Sequence, residues 1–248
     1  MVSGLVTWGR SQGVRNNLSA SLHSSGVSKA IFKELDRSYT FGPFLIPPFH
    51  PFKKMKQFTL SLIYLHHVAL MLMMTSLLNF SLSNIHPFDD AVQIVNSFSV
   101  GCFLAKVDIK HAFRLLPVHP KDWPLLGFQW LGKYFIDTRL PFGSRSSPFI
   151  FNLFADALLW ILINKFDLSA IIHYLDDFFI CGATFEECHA KVKTTLTAFK
   201  LIGVPIKPEK LESPSRVITF LGIEIDSIHS IIRLPDDKLS ELKKLVAM

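Results

Sequence analysis

The sequence has little cysteine and little charge. Its 248 residues include three cysteines, and none of them forms a CxxC pair. So sparse and odd a count excludes a disulfide-stabilised secreted domain and is typical of a reduced, intracellular protein. Charged residues make up 19% and hydrophobic residues 49% of the chain, which excludes a disordered polypeptide. The first residues also lack the apolar core of a signal peptide. We therefore expect a protein of the cytoplasm or nucleus with a buried core.

One stretch lacks charge of either sign. No Asp, Glu, Lys or Arg lies between Lys56 and Asp89, and uncharged runs of this length indicate a membrane span first. Polar residues inside the run, among them His66 and His67, argue against a span because such groups are costly to insert. A membrane anchor through residues 58–82 is therefore the less favoured interpretation, and no obligate membrane partner is expected.

The remaining charge is mildly basic. The formal net charge is +6 and the sequence pI is about 9.2. This balance suits nucleic acid or another anionic surface as a partner. By itself so small an excess does not decide between a nucleic-acid-binding protein and any other basic protein.

Short apolar runs in the second half of the chain predict strands. Residues 102–108 form one such run and predict a buried strand. Two aromatic-rich runs within 125–140 predict a hairpin. Residues 170–182 hold two β-rich halves that meet at a pair of aspartates, and 217–225 predicts one further strand.

Helical patterns alternate with these strands. Residues 17–37 predict an amphipathic helix near the amino terminus. Ser147 and Pro148 are typical of a helix start, and the helix that follows is apolar almost all round, which predicts that it is buried. Thr184 and Glu187 form a capping-box pattern for another helix. The stretch "RLPDDKLSELKKLVAM" begins a last helix.

Three carboxylates lie at the ends of the predicted strands. Asp108 ends the first run, and Asp176 and Asp177 lie where the two halves of 170–182 meet. Adjacent aspartates usually mark a turn, but an apolar β-rich run on both sides makes their burial costly without a counter-charge. If the strands are neighbours in one sheet, the carboxylates converge at one edge, as hard divalent cations require. Two such ions can activate an attacking oxygen and neutralise a leaving one.

Five motifs in order carry a resemblance to a known family. "KVDIKHAF", "LPFGSRSSPFIFN", "YLDD", "GVPIKPEK" and "FLGIEID" resemble, in sequence order, the motifs of the reverse transcriptase palm. Within that family, "AKVDIKHAFRLLPVHPKDW", "LPFGSRSSP" and "FADAL" are most similar to the DIRS group of tyrosine-recombinase retrotransposons. The resemblance implies an α+β fold, a polymerase palm of antiparallel sheet with packed helices, together with partial fingers and the start of a thumb.

The resemblance also implies an activity. It is that of an RNA-directed DNA polymerase, which transfers a nucleotide from a dNTP to a primer 3′-hydroxyl on an RNA or DNA template. Asp108, Asp176 and Asp177 would be the catalytic residues and the ligands of two Mg²⁺ ions, with Mn²⁺ as a substitute. The backbone carbonyl of Ile109 would add a metal contact.

Further residues match family positions at the nucleotide and primer sites. Phe113 matches the aromatic gate that blocks a ribose 2′-hydroxyl, although a core role is the alternative. The other implied nucleotide-binding residues are Phe142, Gly143, Arg145 and Lys210. Phe142 has a packing role as its alternative, and Arg145 and Lys210 have a solvated surface role as theirs. Tyr174 and Leu175 would lie at the primer or template, and Tyr174 has a core role as its alternative.

The resemblance predicts a domain order with two departures from the family. Residues 1–40 would be a helical extension, 41–100 a degenerate fingers region, 101–226 the palm with a fingers insertion at about 119–140, and 227–248 the start of a thumb. The fingers region lacks the expected arginine, and one hypothesis is that roughly residues 55–80 are translated out of frame. The chain would then be an inactive, frame-damaged remnant. We also expect any RNase H or recombinase partner to lie outside this chain.

Overall fold

The computed structural model describes residues 23–45, 87–144 and 146–246. Its helices, in chain order, are α1 (Ser24–Asp36), α2 (Pro87–Asn96), α3 (Ser147–Phe166), α4 (Phe185–Leu201) and α5 (Asp236–Val246). Its strands are β1 (Thr40–Phe44), β2 (Phe103–Asp108), β3 (Gly127–Trp130), β4 (Lys133–Asp137), β5 (Ile171–Tyr174), β6 (Asp177–Gly182), β7 (Glu212–Ser215), β8 (Val217–Phe220), β9 (Ile223–Asp226) and β10 (Ile231–Arg233).

The chain divides into two compact units. The first unit comprises residues 1–72 and 111–151, and the second comprises residues 73–110 and 152–248. The predicted domain boundaries follow a different division, based on family motifs, and they stay a prediction.

The first unit is built on a three-stranded antiparallel sheet. Its strands lie in the order β1–β4–β3. Helix α1 packs on this sheet, where Ile31 joins Trp130 and Phe135 in a small buried cluster. The predicted hairpin within 125–140 is confirmed as β3 and β4, and the predicted helix over 17–37 is confirmed within its described part.

The second unit contains two antiparallel sheets. Four strands lie in the order β5–β6–β2–β7, and three lie in the order β10–β9–β8. Buried residues of both sheets form one core cluster with Ala91 of α2, including Leu104, Phe179, Phe220 and Ile225. The predicted strand at 102–108 is confirmed as β2, and the two predicted halves of 170–182 are confirmed as β5 and β6.

The prediction of a single strand over 217–225 is wrong. The structure has two strands, β8 and β9, which pair with each other in an antiparallel hairpin. Leu221 and Gly222 make the turn with φ angles of 50° and 81°. Positive φ at both turn residues is typical of the tight turn that joins hairpin strands, and a leucine at such a position gives little signal in a sequence.

Helix α3 is not buried all round as predicted. Its fully buried apolar positions include Phe151, Ala155, Leu158 and Leu162, which follow a helical repeat along one face. Ile163, near its end, is exposed. Uniform apolarity therefore did not reveal which face of this helix is covered.

Helix α3 also has the length and composition of a membrane span. It is the one such helix found in the described part of the chain, and 28% of its most apolar window is buried. Core helices of soluble proteins meet the same criterion, so this is weak evidence for a membrane.

Helix α4 begins as predicted. Glu187 N donates to Thr184 Oγ1 at 3.2 Å, and Ala183 N donates to Glu187 Oε2 at 2.8 Å. The first bond satisfies an amide group that the first helical turn leaves without a partner, and the second ties Glu187 back to the residue before the N-cap. The capping-box prediction is confirmed.

Several predictions concern residues that the structure does not describe. The membrane span proposed for 58–82 and the frame error proposed for 55–80 lie outside the described residues. Arg145 also lies outside them. These interpretations stay predictions.

Candidate active site

The second unit brings the three predicted catalytic aspartates together. Strand β2 pairs antiparallel with β6, and in this register Asp108 lies directly opposite Asp177. Asp176 precedes Asp177 in the turn that joins β5 to β6. The expected convergence of the strand ends at one edge of a sheet is confirmed for these elements.

A two-residue turn presents the aspartate pair. Tyr174 of β5 pairs with Asp177 of β6, which leaves Leu175 and Asp176 as the turn. Leu175 has a φ of 51°, an uncommon conformation for a branched side chain. Ile109 N donates to the Asp176 carbonyl at 2.9 Å, so a backbone hydrogen bond ties this turn to the end of β2.

The carboxylates differ in burial and in charge balance. Asp108 is 2% exposed, whereas the Asp176 side chain is 31% exposed. Burial, followed by the negative charges of Asp108 and Asp176, raises the pKa of Asp177 to about 6. Negative charge at Asp177 is therefore poorly compensated in the folded chain.

Two lysines compensate Asp108. Lys207 Nζ donates to Asp108 Oδ1, and Lys210 Nζ donates to Asp108 Oδ2 at 2.9 Å. Burial raises the pKa of Asp108, but the hydrogen bonds from Lys207 and Lys210 outweigh it, so the pKa lies below its usual value. The same contact raises the pKa of Lys210.

Sequence reasoning selected Lys210 and missed Lys207. The structure places Lys210 beside the aspartates, with its side chain 56% exposed. Lys207 is closer to the centre of the group, with its side chain 24% exposed and its ammonium 3.6 Å from Asp176 Oδ2. The sequence signal for Lys207 was its position in "GVPIKPEK", three residues before Lys210.

The donor set fits a divalent cation in its chemistry. Three carboxylates converge, and burial together with the charges of Asp108 and Asp176 raises the pKa of Asp177, so a cation beside it would stabilise its charged form. Among residues 23–45, 87–144 and 146–246, however, no three side chains are arranged to hold one ion. In this arrangement both oxygens of Asp108 are engaged by lysine ammonium groups.

Tyr174 lies at the surface end of the hairpin. Its side chain is 40% exposed, so the alternative of a core role is wrong. The proximity of Tyr174 and Leu175 to the aspartate pair follows from the hairpin register. Their predicted contact with primer or template stays a prediction.

The first unit holds the other predicted nucleotide-binding residues that the structure describes. Phe113 lies half-buried, with its ring centroid 5.0 Å from that of Phe142 and 5.3 Å from that of Phe151. Phe142 is 53% exposed, so it is not a core residue, and Gly143 has a φ of 83°, a conformation that favours glycine. Both proposed roles of Phe113, gate and packing residue, are compatible with this aromatic cluster.

A polar contact that the sequence did not predict joins His173 of the hairpin to Asp156 of α3. The Nε2 atom of His173 on β5 lies 3.0 Å from Oδ1 of Asp156 on α3. Asn152 donates to the other oxygen of Asp156 at 3.1 Å. The His173 ring is 4% exposed and stacks on Phe178 at a centroid distance of 5.3 Å. His173 immediately precedes Tyr174, so the pair links α3 to the strand that leads into the turn.

One protein-family model matches the part of the chain that carries most of the palm motifs. Residues 48–225 match the family model described as reverse transcriptase (RNA-dependent DNA polymerase). The chain belongs to the reverse transcriptase family. The predicted family is thereby confirmed, whereas the similarity to the DIRS group stays a prediction.

Curated relatives of this reverse transcriptase chain are viral polymerase proteins. The Gag-Pro-Pol polyprotein of human T-cell leukemia virus 2 is 30% identical over 133 residues, which is 51% of this chain and 9% of that protein. Protein P of duck hepatitis B virus (strain China) is 26% identical over 148 residues, 59% of this chain and 18% of that protein. The chain thus spans less than a fifth of the length of these relatives.

Solved structures of foamy viral protease-reverse transcriptase share the fold. One, in complex with double-stranded DNA, has a TM-score of 0.53 and 22% identity, and the match covers 66% of this chain and 27% of that one. Another, in complex with an RNA/DNA hybrid, has a TM-score of 0.50 and 22% identity over 61% of this chain and 20% of that one. This likeness shows the fold alone, and it confirms the predicted palm of helices and antiparallel sheet.

Proposed function

We propose that this chain is the core of a reverse transcriptase that transfers nucleotides from dNTPs to a primer 3′-hydroxyl. The observation that carries the proposal is the register that places Asp108 opposite Asp177 and beside Asp176. Family membership supports the same activity. Because the relatives are several times longer than this chain, the activity of the chain alone is part of the proposal.

We assign the metal-binding role to the aspartates. Asp108, Asp176 and Asp177 would hold Mg²⁺, in two ions with Mn²⁺ as a substitute, and the Ile109 carbonyl would add a contact. Reverse transcriptases generally use divalent metal ions, which supply charge neutralisation and activate the primer hydroxyl in phosphoryl transfer. The protein holds its carboxylates in fixed positions at the ends of β2 and β6, so little reorganisation is needed at the moment of reaction.

Other residues would position the substrates. Lys210, whose half-exposed side chain lies beside Asp108, would contact the triphosphate or the leaving pyrophosphate. Phe113, Phe142 and Gly143 would contact the nucleotide, as would Arg145. Tyr174 and Leu175 would contact the primer or template from the hairpin.

The proposed partner is a template with its primer. The foamy viral neighbours are in complex with double-stranded DNA and with an RNA/DNA hybrid. The net charge of +6 suits such a partner. We place this activity inside the cell, in the cytoplasm or nucleus, and no membrane is needed for it.

One observation favours a second function. Both carboxylate oxygens of Asp108 are engaged by lysines, and a chain in which they stay engaged would be a folded but inactive relative of the active enzymes. The two candidates differ in turnover and share the fold.

Primer extension on an RNA template separates the two candidates. With Mg²⁺ and all four dNTPs, we expect the wild-type chain to extend a DNA primer and Asp176→Asn to lose that extension. Circular dichroism would show that the variant keeps its fold. A folded wild-type chain that extends no primer, at any Mg²⁺ or Mn²⁺ concentration, would establish the inactive alternative.

A further inference from the structure

Lys207 lies between two of the catalytic carboxylates. Its ammonium group donates to Asp108 Oδ1 and lies 3.6 Å from Asp176 Oδ2. Asp108 is almost fully buried, and about a quarter of the Lys207 side chain is exposed, so the contact is largely shielded from solvent. A single positive charge therefore serves two carboxylates that would otherwise repel each other.

The backbone fixes Lys207 in this position. Lys207 N donates to the Asp108 carbonyl at 2.9 Å, and Lys110 N donates to the Pro205 carbonyl at 2.8 Å. Between these bonds, Ile109 and Ile206 form an antiparallel bridge. The segment 205–207 thus extends the sheet beyond β2, so the location of Lys207 follows from strand pairing as well as from its ion pair.

Lys210 is placed differently. Its ammonium contacts the other oxygen of Asp108 at 2.9 Å, but its side chain is 56% exposed. Lys210 also lies in a one-turn 3₁₀ helix, Pro208–Lys210, after the paired segment. Solvent screens its charge more, and its side chain is free to move away at less cost.

We propose that Lys207 is a built-in counter-cation that competes with the divalent ion for Asp108 and Asp176. This inference rests on the proposed function, since it assumes that these carboxylates are the ion's ligands. An ammonium and a divalent cation repel each other and need the same carboxylate oxygens, so the ion binds only after Lys207 has withdrawn. Lys207 therefore weakens ion binding while it stabilises the ion-free fold.

The proposal predicts two linked changes in Lys207→Gln. Isothermal titration of the full chain with Mn²⁺ should show roughly tenfold tighter binding, because a charge-assisted contact no longer has to be broken. The unfolding temperature should fall in EDTA, where Asp108 has lost a partner. Saturating Mg²⁺ should then raise the unfolding temperature by more in the variant than in the wild type.

Three controls accompany this variant. Lys200→Gln removes an exposed lysine at the end of α4 and should leave ion binding unchanged. Lys207→Arg keeps the positive charge and should bind Mn²⁺ no more tightly than the wild type. Lys207→Met removes the charge but keeps a long side chain, and it takes the place of Lys207→Gln if that variant does not fold. Asp108→Asn should remove the effect of the ion on unfolding in every background.

The outcomes separate this proposal from the function on which it rests. Equal binding by wild type and Lys207→Gln, or tighter binding by Lys207→Arg, overturns the competition and leaves the proposed function intact. If Lys207→Gln binds Mn²⁺ and the wild type does not, the result supports the competition and favours the inactive alternative for the wild type. Binding by neither overturns the proposed metal site and the competition with it.

Discussion

Asp177 carries the least compensated charge among the three aspartates. Its pKa in the folded chain is raised to about 6 by burial and then by Asp108 and Asp176, whereas in an unfolded chain it has the ordinary value of 3.8. Between these values the folded state binds more protons than the unfolded state, so the free energy of unfolding decreases as pH rises. The penalty is absent below about pH 4 and complete above about pH 6.

Asp177→Asn should remove this penalty. In EDTA at pH 7 we expect the variant to unfold at a temperature a few degrees above that of the wild type, since about 1 kcal/mol shifts the midpoint of a chain of this size by roughly 2–4 °C. At pH 4 the two midpoints should coincide. A constant difference across this pH range in thermal scans would contradict the assignment of the charge penalty to Asp177.

Phe113 offers a second residue-scale prediction, which concerns sugar discrimination. If Phe113 is the gate, Phe113→Val in an active chain should incorporate ribonucleotides far better relative to dNTPs, because the bulk that meets the 2′-hydroxyl is removed. Single-nucleotide incorporation with dNTP and rNTP measures the ratio. Phe151→Leu changes a buried neighbour at 5.3 Å in the same cluster and is the matched control. Unchanged discrimination in an active Phe113→Val chain would leave Phe113 as a packing residue.

At the scale of elements, the pair Asp156–His173 ties α3 to β5. His173 Nδ1 is buried without a hydrogen-bond partner among the described residues, so Nε2 carries the polar contact of this ring. Asp156→Ala would leave both nitrogens unpaired, at a cost of about 1–3 kcal/mol in the free energy of unfolding. Urea denaturation measures this cost. Asn152→Ala removes the hydrogen bond from Asn152 to Asp156 and keeps the contact with His173, so it should lower the free energy of unfolding by less. An equal decrease in the two variants would show that the His173 contact does not stabilise the fold.

The contact between β6 and α4 depends on a glycine. A Cβ on Gly182 would lie 2.6 Å from the backbone N of Cys188 and 2.9 Å from its Cα, and backbone atoms of a helix do not move aside easily. Gly182→Ala should therefore destabilise the chain by about 1–3 kcal/mol in urea denaturation.

Gly26→Ala is the matched control for this substitution. Gly26 lies in α1 with nothing within 4 Å of an added Cβ, so alanine there should stabilise the chain by about 0.5–1 kcal/mol. If Gly182→Ala has no effect on stability, α4 can move away from β6 without cost.

At the scale of the whole molecule, local patterns predicted the elements and their chemistry. An apolar run that ends in an aspartate identified β2, and the capping box identified the start of α4, because both signals lie within a few neighbouring residues. The convergence of Asp108 and Asp177 was predictable because strand ends in one sheet meet at an edge.

What the sequence did not reveal depends on distant pairing or on unusual backbone angles. Lys207 reaches the aspartates because 205–207 pairs with 108–110, a contact that no local pattern indicates. The turn at 221–222 places a leucine at positive φ. Since leucine is not typical of turns, the apolar run over 217–225 predicted one strand and no turn. The covered face of α3 depends on which elements pack against it, and a helix that is apolar all round does not encode that choice.

The pairing of 205–207 with 108–110 also sets an order in time. Asp108 and Lys207 are 99 residues apart in the chain. At ribosomal speeds of about 5–20 residues per second, Asp108 is made roughly 5–20 s before the lysine that neutralises it. All three aspartates, on β2 and in the β5–β6 hairpin, are therefore made before the segment that carries Lys207. The pairing of 205–207 with 108–110 is therefore a late event in the folding of this site, because it has to wait until that segment has left the ribosome.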